Sequence, residues 1–176
     1  MCMRMKVLLL FLSSLLFLAG CALFVPIVWT DSSDIPQDYG IAFVEITLKG
    51  RDSASVFIDD GAARSNKKLI LKKGTHLYSL FLEDSTYSFR TLLFHYETFL
   101  LERTRTPLNA DPERYTGYYC SPWKVEKGKA TAIGKIEFDI VENDRFNLKC
   151  DEYDTTRQAV MQSAKELYPE TFKAVK

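Results

Sequence analysis

The residues able to do chemistry in this chain are few and scattered. Its two histidines, His76 and His95, fall in runs of β-strand composition, where an imidazole is more often a half-buried or surface group than an acid–base catalyst. Carboxylates gather at Asp59-Asp60 and again at Asp151, Glu152 and Asp154. Such oxygens suit a hard cation, but neither group has the spacing of a calcium loop. The first is read as turn-forming, and the second as acids complementing a helix N-terminus. No metal site and no cofactor is expected. The densest aromatic group is Tyr115, Tyr118, Tyr119 and Trp123, and extended alternation would put Tyr119 and Trp123 on one face. Those rings could stack on a sugar or grip a partner protein, or they could pack in a core beside Cys120. The chain holds no Gly-x-Ser-x-Gly elbow, phosphate-binding loop, dinucleotide fingerprint or His-Glu-x-x-His. No catalytic residue is nominated.

The 176 residues carry 23 basic and 23 acidic side chains, so there is no cationic excess to displace counterions from a phosphate backbone, and nucleic acid is excluded as a partner. With 47% hydrophobic residues the chain has enough apolar material to fold, as one domain of ordinary size.

Its first residues are of another kind. Arg4 and Lys6 precede an apolar run from Val7 to Ala19, shorter than the ~20 residues that cross a bilayer. Residues 1–20 therefore read as a secretory signal peptide. The run closes on Leu18, Ala19, Gly20 and Cys21, a tetrapeptide that resembles the lipobox of bacterial lipoproteins. The resemblance implies that the Cys21 thiol is acylated, palmitate being a typical chain, that the chain is cut before it, and that the new N-terminus is acylated too. The membrane is then a partner through several acyl chains, a durable anchor. Ala22, which is not Asp, is similar to the second residue of lipoproteins sent to the outer membrane of a diderm host. An uncleaved anchor from Val7 to Trp29 is the alternative, with Gly20, Cys21 and Pro26 then inside a span for no evident reason.

Once Cys2 leaves with the signal and Cys21 carries lipid, Cys120 and Cys150 remain. An even remainder in an exported protein points to one disulfide. Its loop of about 31 residues corresponds to about 3.7 kcal/mol in a chain-entropy estimate. Two unrelated buried thiols are the alternative. A zinc site is disfavoured, since neither Cys has a Cys or His at ligand spacing.

These groups must be positioned by short strands. Thr30 to Gln37 is polar and reads as a tether, so residues 21–38 are expected to form the lipidated N-terminus and its leash. The domain is expected over residues 39–176. Ile41 to Leu48 alternates, with Ala42, Val44, Ile46 and Leu48 on one face and Ile41, Phe43, Glu45 and Thr47 on the other, and Lys49 and Gly50 should end it. Ser53 to Ile58 is a second strand, stopped by Asp59, Asp60 and Gly61. Lys68 to Lys72 and His76 to Leu82 flank Lys73, Gly74 and Thr75, which read as a hairpin turn. Tyr87 to Leu101 fits either period, with strand preferred over helix. Thr104 to Glu113 is a loop, followed by strands at Tyr115–Cys120, Trp123–Glu126, Thr131–Val141 and Arg145–Cys150. From Asp154 to Tyr168 a helix is expected, with Thr155 and Gln158 as a capping box, Pro169 as its stop, and an apolar stripe of Val160, Met161, Ala164 and Leu167.

Ser53 to Gly61 together with Leu69 to His76 resembles the PEGA-type surface repeat, a small transthyretin-like β-sandwich, although Ala63, Arg64, Ser65 and Asn66 stand where that family has Gly-x-x-Pro. Trp123 to Ile136 is similar to a segment of bacterial lipoproteins of uncharacterised function that end in a helix closing on Tyr-Pro, as Tyr168 and Pro169 do here. The expected fold is mainly β: a single β-sandwich (transthyretin/Ig-like) of about eight strands with one C-terminal α-helix. The expected role is that of a membrane-anchored envelope lipoprotein acting as a binding or structural module, not an enzyme, with an envelope protein or glycan as possible partner. The alternative is a membrane-tethered hydrolase whose site is assembled from separate strands.

Overall fold

The computed structural model describes residues 28, 30–60, 67–94, 97–100, 120–142 and 145–175. Cys21, His95, Tyr115, Tyr118 and Tyr119, with the loop expected at 104–113, lie outside them.

The strands are β1 (Tyr39–Asp59), β2 (Lys67–Glu83), β3 (Ser85–Phe94), β4 (Glu97–Leu100), β5 (Trp123–Val125), β6 (Ala130–Glu142) and β7 (Arg145–Asp151), followed by helices α1 (Asp154–Leu167) and α2 (Thr171–Ala174). The protein is mainly β with a C-terminal helix, and the described residues of Tyr87–Leu101, 87–94 in β3 and 97–100 in β4, are strand as preferred. The strands form a curled mixed sheet. β2 runs antiparallel to β1 along both of its halves. On the other side of β1, β6 pairs in parallel with Ile41–Lys49 and β3 pairs antiparallel with Ser55–Asp59. β7 lies beyond β6, β4 beyond β3, and β5 pairs with the start of β3.

Two expected turns are corners instead. Lys49-Gly50 does not end a strand and Lys73-Gly74-Thr75 does not reverse the chain: β1 and β2 each run straight through. Leu48 pairs with Gly74, and the register shifts between Leu48 and Ser53. At Gly50, φ is +77°, and at Gly74 it is +95°, backbone values that glycine adopts without steric cost. The two glycines let the paired strands bend together, as bulges and glycine kinks do in curled sheets.

The bend doubles the ribbon back on itself. Tyr39 pairs with Glu83 and Asp59 with Ser88, and the five residue steps from Glu83 to Ser88 reach at most about 17 Å. A straight β1 would hold Tyr39 and Asp59 about 66 Å apart. The inward side chains of both arms, Val44, Ile46 and Leu48 from one and Val56, Ile58 and Leu71 from the other, therefore share one core cluster.

The opposite face of the first arm is apolar too. Ile41 and Phe43 point outward from it, as the alternation predicts, and are fully buried beneath Val160 and Ala164 of α1. The Phe43 ring lies 5.4 Å from Tyr168 and 5.5 Å from Phe172. The expected stripe needs one correction, because Leu167 is 63% exposed. The buried line runs through Val160, Ala164 and Tyr168, four residues apart. Nor does the capping box form. Tyr153 is the N-cap, with no side-chain cap. Asp151 instead accepts from the Thr156 hydroxyl at 2.9 Å. The helix stops before Pro169, as expected.

The polar stretch read as a tether is bound to the domain. Asp31 accepts from the Thr171 amide at 2.8 Å, the Thr171 hydroxyl at 3.0 Å and the Glu170 amide at 3.2 Å. Ile35 packs with the outer cluster, and Val28 bridges to Leu80 of β2. A short run of polar residues is silent about partners 140 positions away.

Candidate functional site

A cleft of about 440 Å³ opens at the end of the ribbon where β1 begins and β2 stops, lined by Asp38, Tyr39, Glu83, Asp84 and Lys127. Tyr39 begins β1 and Glu83 ends β2, and the antiparallel register sets them side by side. The Tyr39 hydroxyl donates to Glu83 Oε1 at 3.0 Å, and its ring stacks on Phe81 with centroids 4.2 Å apart. The floor is backbone: Gly128 N–H donates to Tyr39 O at 2.8 Å, and Asp84 N–H to Asp38 O at 3.3 Å. Lys127 N–H donates to Asp84 Oδ2 at 3.4 Å. Behind Glu83, the buried Tyr87 donates its hydroxyl to Glu83 O at 3.1 Å, and Lys67 Nζ lies 6.0 Å above the Tyr87 ring.

Both phenols are held neutral. The hydrogen bond to Glu83 raises the Tyr39 hydroxyl above the usual phenol range, with burial and the charges of Glu83 and Asp38 adding to it. Burial raises Tyr87 further still, helped by the charges of Asp60 and Glu83. A phenol in this state donates a hydrogen bond but does not act as a base or nucleophile. The arrangement offers carboxylate acceptors beside a flat stacked ring pair, a surface for holding a cationic or hydroxyl-bearing group.

The residues singled out from sequence fall elsewhere. Cys120 and Cys150 are paired as a disulfide with Cα atoms 5.6 Å apart, and Glu152 accepts from the Ser121 amide at 2.9 Å beside them. Trp123 is not a surface ring. It is 5% exposed, packed 4.6 Å from Phe89 and 6.4 Å from Tyr87, in the core position left open as the alternative. Asp59 is buried and paired with Arg90. His76 is exposed at the Gly74 corner, its Nε2 2.9 Å from Lys73 O. Among the described residues no group of three or more His, Cys, Asp or Glu is placed to hold a metal ion, and no helix is long and apolar enough to cross a membrane.

The cleft residues were missed because nothing local marks them. Asp38-Tyr39 and Glu83-Asp84 look like ordinary polar strand ends, and only the pairing of β1 with β2 joins them. Comparison with protein-family models, with curated proteins and with solved structures finds no match.

Proposed function

We propose that this protein is an acylated lipoprotein of the bacterial cell envelope, in the outer membrane if the host is diderm, whose folded domain serves as a binding or structural module and not as an enzyme. The observation that carries the anchor is the charged leader running into Leu18-Ala19-Gly20-Cys21. The module reading is supported by the cleft, where Tyr39 is a neutral donor tied to Glu83 in front of the buried, neutral Tyr87, a setting for holding a ligand. The doubled, helix-backed sheet is read as a variant of the transthyretin/Ig-like sandwich. An envelope protein or a glycan is the partner class, with Tyr115, Tyr118 and Tyr119 retained as candidate binding rings and Trp123 withdrawn. Replacing Cys21 with Ser and following labelled fatty acid tests the anchor: incorporation should vanish, and its persistence would end the lipoprotein reading.

A further inference from the structure

The segment Lys67-Lys68-Leu69-Ile70-Leu71-Lys72-Lys73 is basic at both ends and apolar between, in a chain that carries no net charge as a whole. Leu69 and Leu71 are fully buried, while Ile70 is 51% exposed, so Lys68, Ile70 and Lys72 stand on the outer face of β2. Directly across, on β1, they meet Phe57, Ser55 and Ser53. Among the described residues neither Lys68 nor Lys72 finds a carboxylate.

This stretch is also a sheet edge. One side of β2 is taken by β1, and on the other the described residues place only Val28, bridged to Leu80. The Lys72 amide donates to the Tyr78 hydroxyl at 3.0 Å, so Lys72 turns its amide away from β1. Alternate residues of an antiparallel strand present both backbone groups to the same side. Ile70 and Lys68 therefore hold their N–H and C=O at this edge, where no described residue pairs with them. The Val28 bridge to Leu80 shows that this side of β2 accepts backbone pairing at one residue of its other arm.

We propose that the Lys67–Leu71 edge of β2 receives an acidic extended segment of a partner protein as an added antiparallel strand, with an apolar side chain opposite Ile70, one carboxylate opposite Lys68 and another within reach of the Lys72 ammonium just past the edge. This names a partner for the module proposed above and does not depend on acylation of Cys21. Strand addition gives affinity through main-chain hydrogen bonds and specificity through alternate side chains. Opposite charges across a strand pair favour it, whereas a second copy of the same edge would set lysine against lysine. A bilayer surface could answer the lysines but would leave the edge amides without defined partners.

The test uses the full chain in detergent and three short fluorescent peptides: one with Glu, Val and Glu at alternate positions, one with Lys in place of Glu, and an acidic one with Pro at the residues that would donate to the edge. By fluorescence anisotropy the acidic peptide should bind at least about tenfold more tightly than the other two. The double variant Lys68→Glu with Lys72→Glu, checked for an unchanged melting temperature, should invert the preference. Equal binding of the acidic and proline peptides would reduce the effect to charge alone and overturn strand addition. No peptide binding, with loss of adhesion to phosphatidylglycerol vesicles in the double variant, would overturn it in favour of a lipid surface. A Cys21→Ser chain that keeps peptide binding would separate this inference from the anchor.

Discussion

Phe43 and Leu167 exchange the weights that composition gives them. Leu167 looks like the end of a buried stripe but is largely exposed, while Phe43 is fully buried between the sheet and both helices. Phe43→Ala should therefore cost about 3–5 kcal/mol. Leu167→Ala should cost under about 0.5 kcal/mol, as surface changes do. Urea unfolding compares them, and similar losses would mean that α1 docks in another rotation. Asp31 supplies a pH dependence. Loss of solvent raises its carboxyl, but the amides of Thr171 and Glu170, the Thr171 hydroxyl and nearby Lys173 together hold it below its free value of 3.8. A depressed carboxyl contributes its stability above the free value and loses it as pH falls through the folded one. The Thr171 amide resonance should thus titrate with a midpoint below 3.8. Movement near pH 5 would show that these hydrogen bonds do not form. Cys120 and Cys150 make a third case: non-reducing mass spectrometry with alkylation should find neither thiol labelled.

For the elements, the corners decide the architecture. A Cβ at Gly50 would lie 1.8 Å from the Ile140 carbonyl oxygen, and the positive φ adds strain. Gly128 also has positive φ but has open space around it. Gly128→Ala should cost about 1–2 kcal/mol, the left-handed penalty alone. Gly50→Ala should cost clearly more, because the clash is with backbone and cannot be relieved by a rotamer. Thermal melts of the two variants check the order. The same glycines explain what the sequence conveyed. Alternation in Ile41–Leu48 separated its two faces correctly, since side-chain direction depends on local period, and Ser53–Ile58, Lys68–Lys72 and His76–Leu82 were legible as strands. Whether Gly50 or Gly74 reverses a strand or bends it does not, because both uses need the same backbone freedom and differ only in the partner strand alongside. The parallel pairing of β1 with β6 and the meeting of Asp38-Tyr39 with Glu83-Asp84 are contacts of large sequence separation, and no local pattern encodes them. The helix was legible by its period and its Pro169 stop, but its cap was not. Asp151, outside the expected box, holds Thr156.

Across the whole molecule, the near-terminal segments are fastened to each other. Asp31 and Thr171 hold the start of the described chain against its end, with Ile35 packed into the outer cluster. Asp31→Ala should make residues 30–38 the first site of limited proteolysis, while the wild type resists cleavage there; equal resistance would show that packing of Ile35 suffices. The Lys67–Leu71 edge of β2 stays where it is in that variant, because it does not use the segment, whereas the cleft is lined in part by Asp38. The clamp also determines how mechanical load enters the protein. If Cys21 carries lipid as proposed, the slack between membrane and domain would be only the seven steps to Val28, at most about 24 Å of chain, not the longer leash that the composition of residues 21–38 suggests. A pull from the membrane would be taken first by the Val28 bridge and the hydrogen bonds to α2, and only after these give way by the end of β1. On that proposal the fastening would work as a strain relief on a cable, parting and lengthening the lead before tension reaches the sheet.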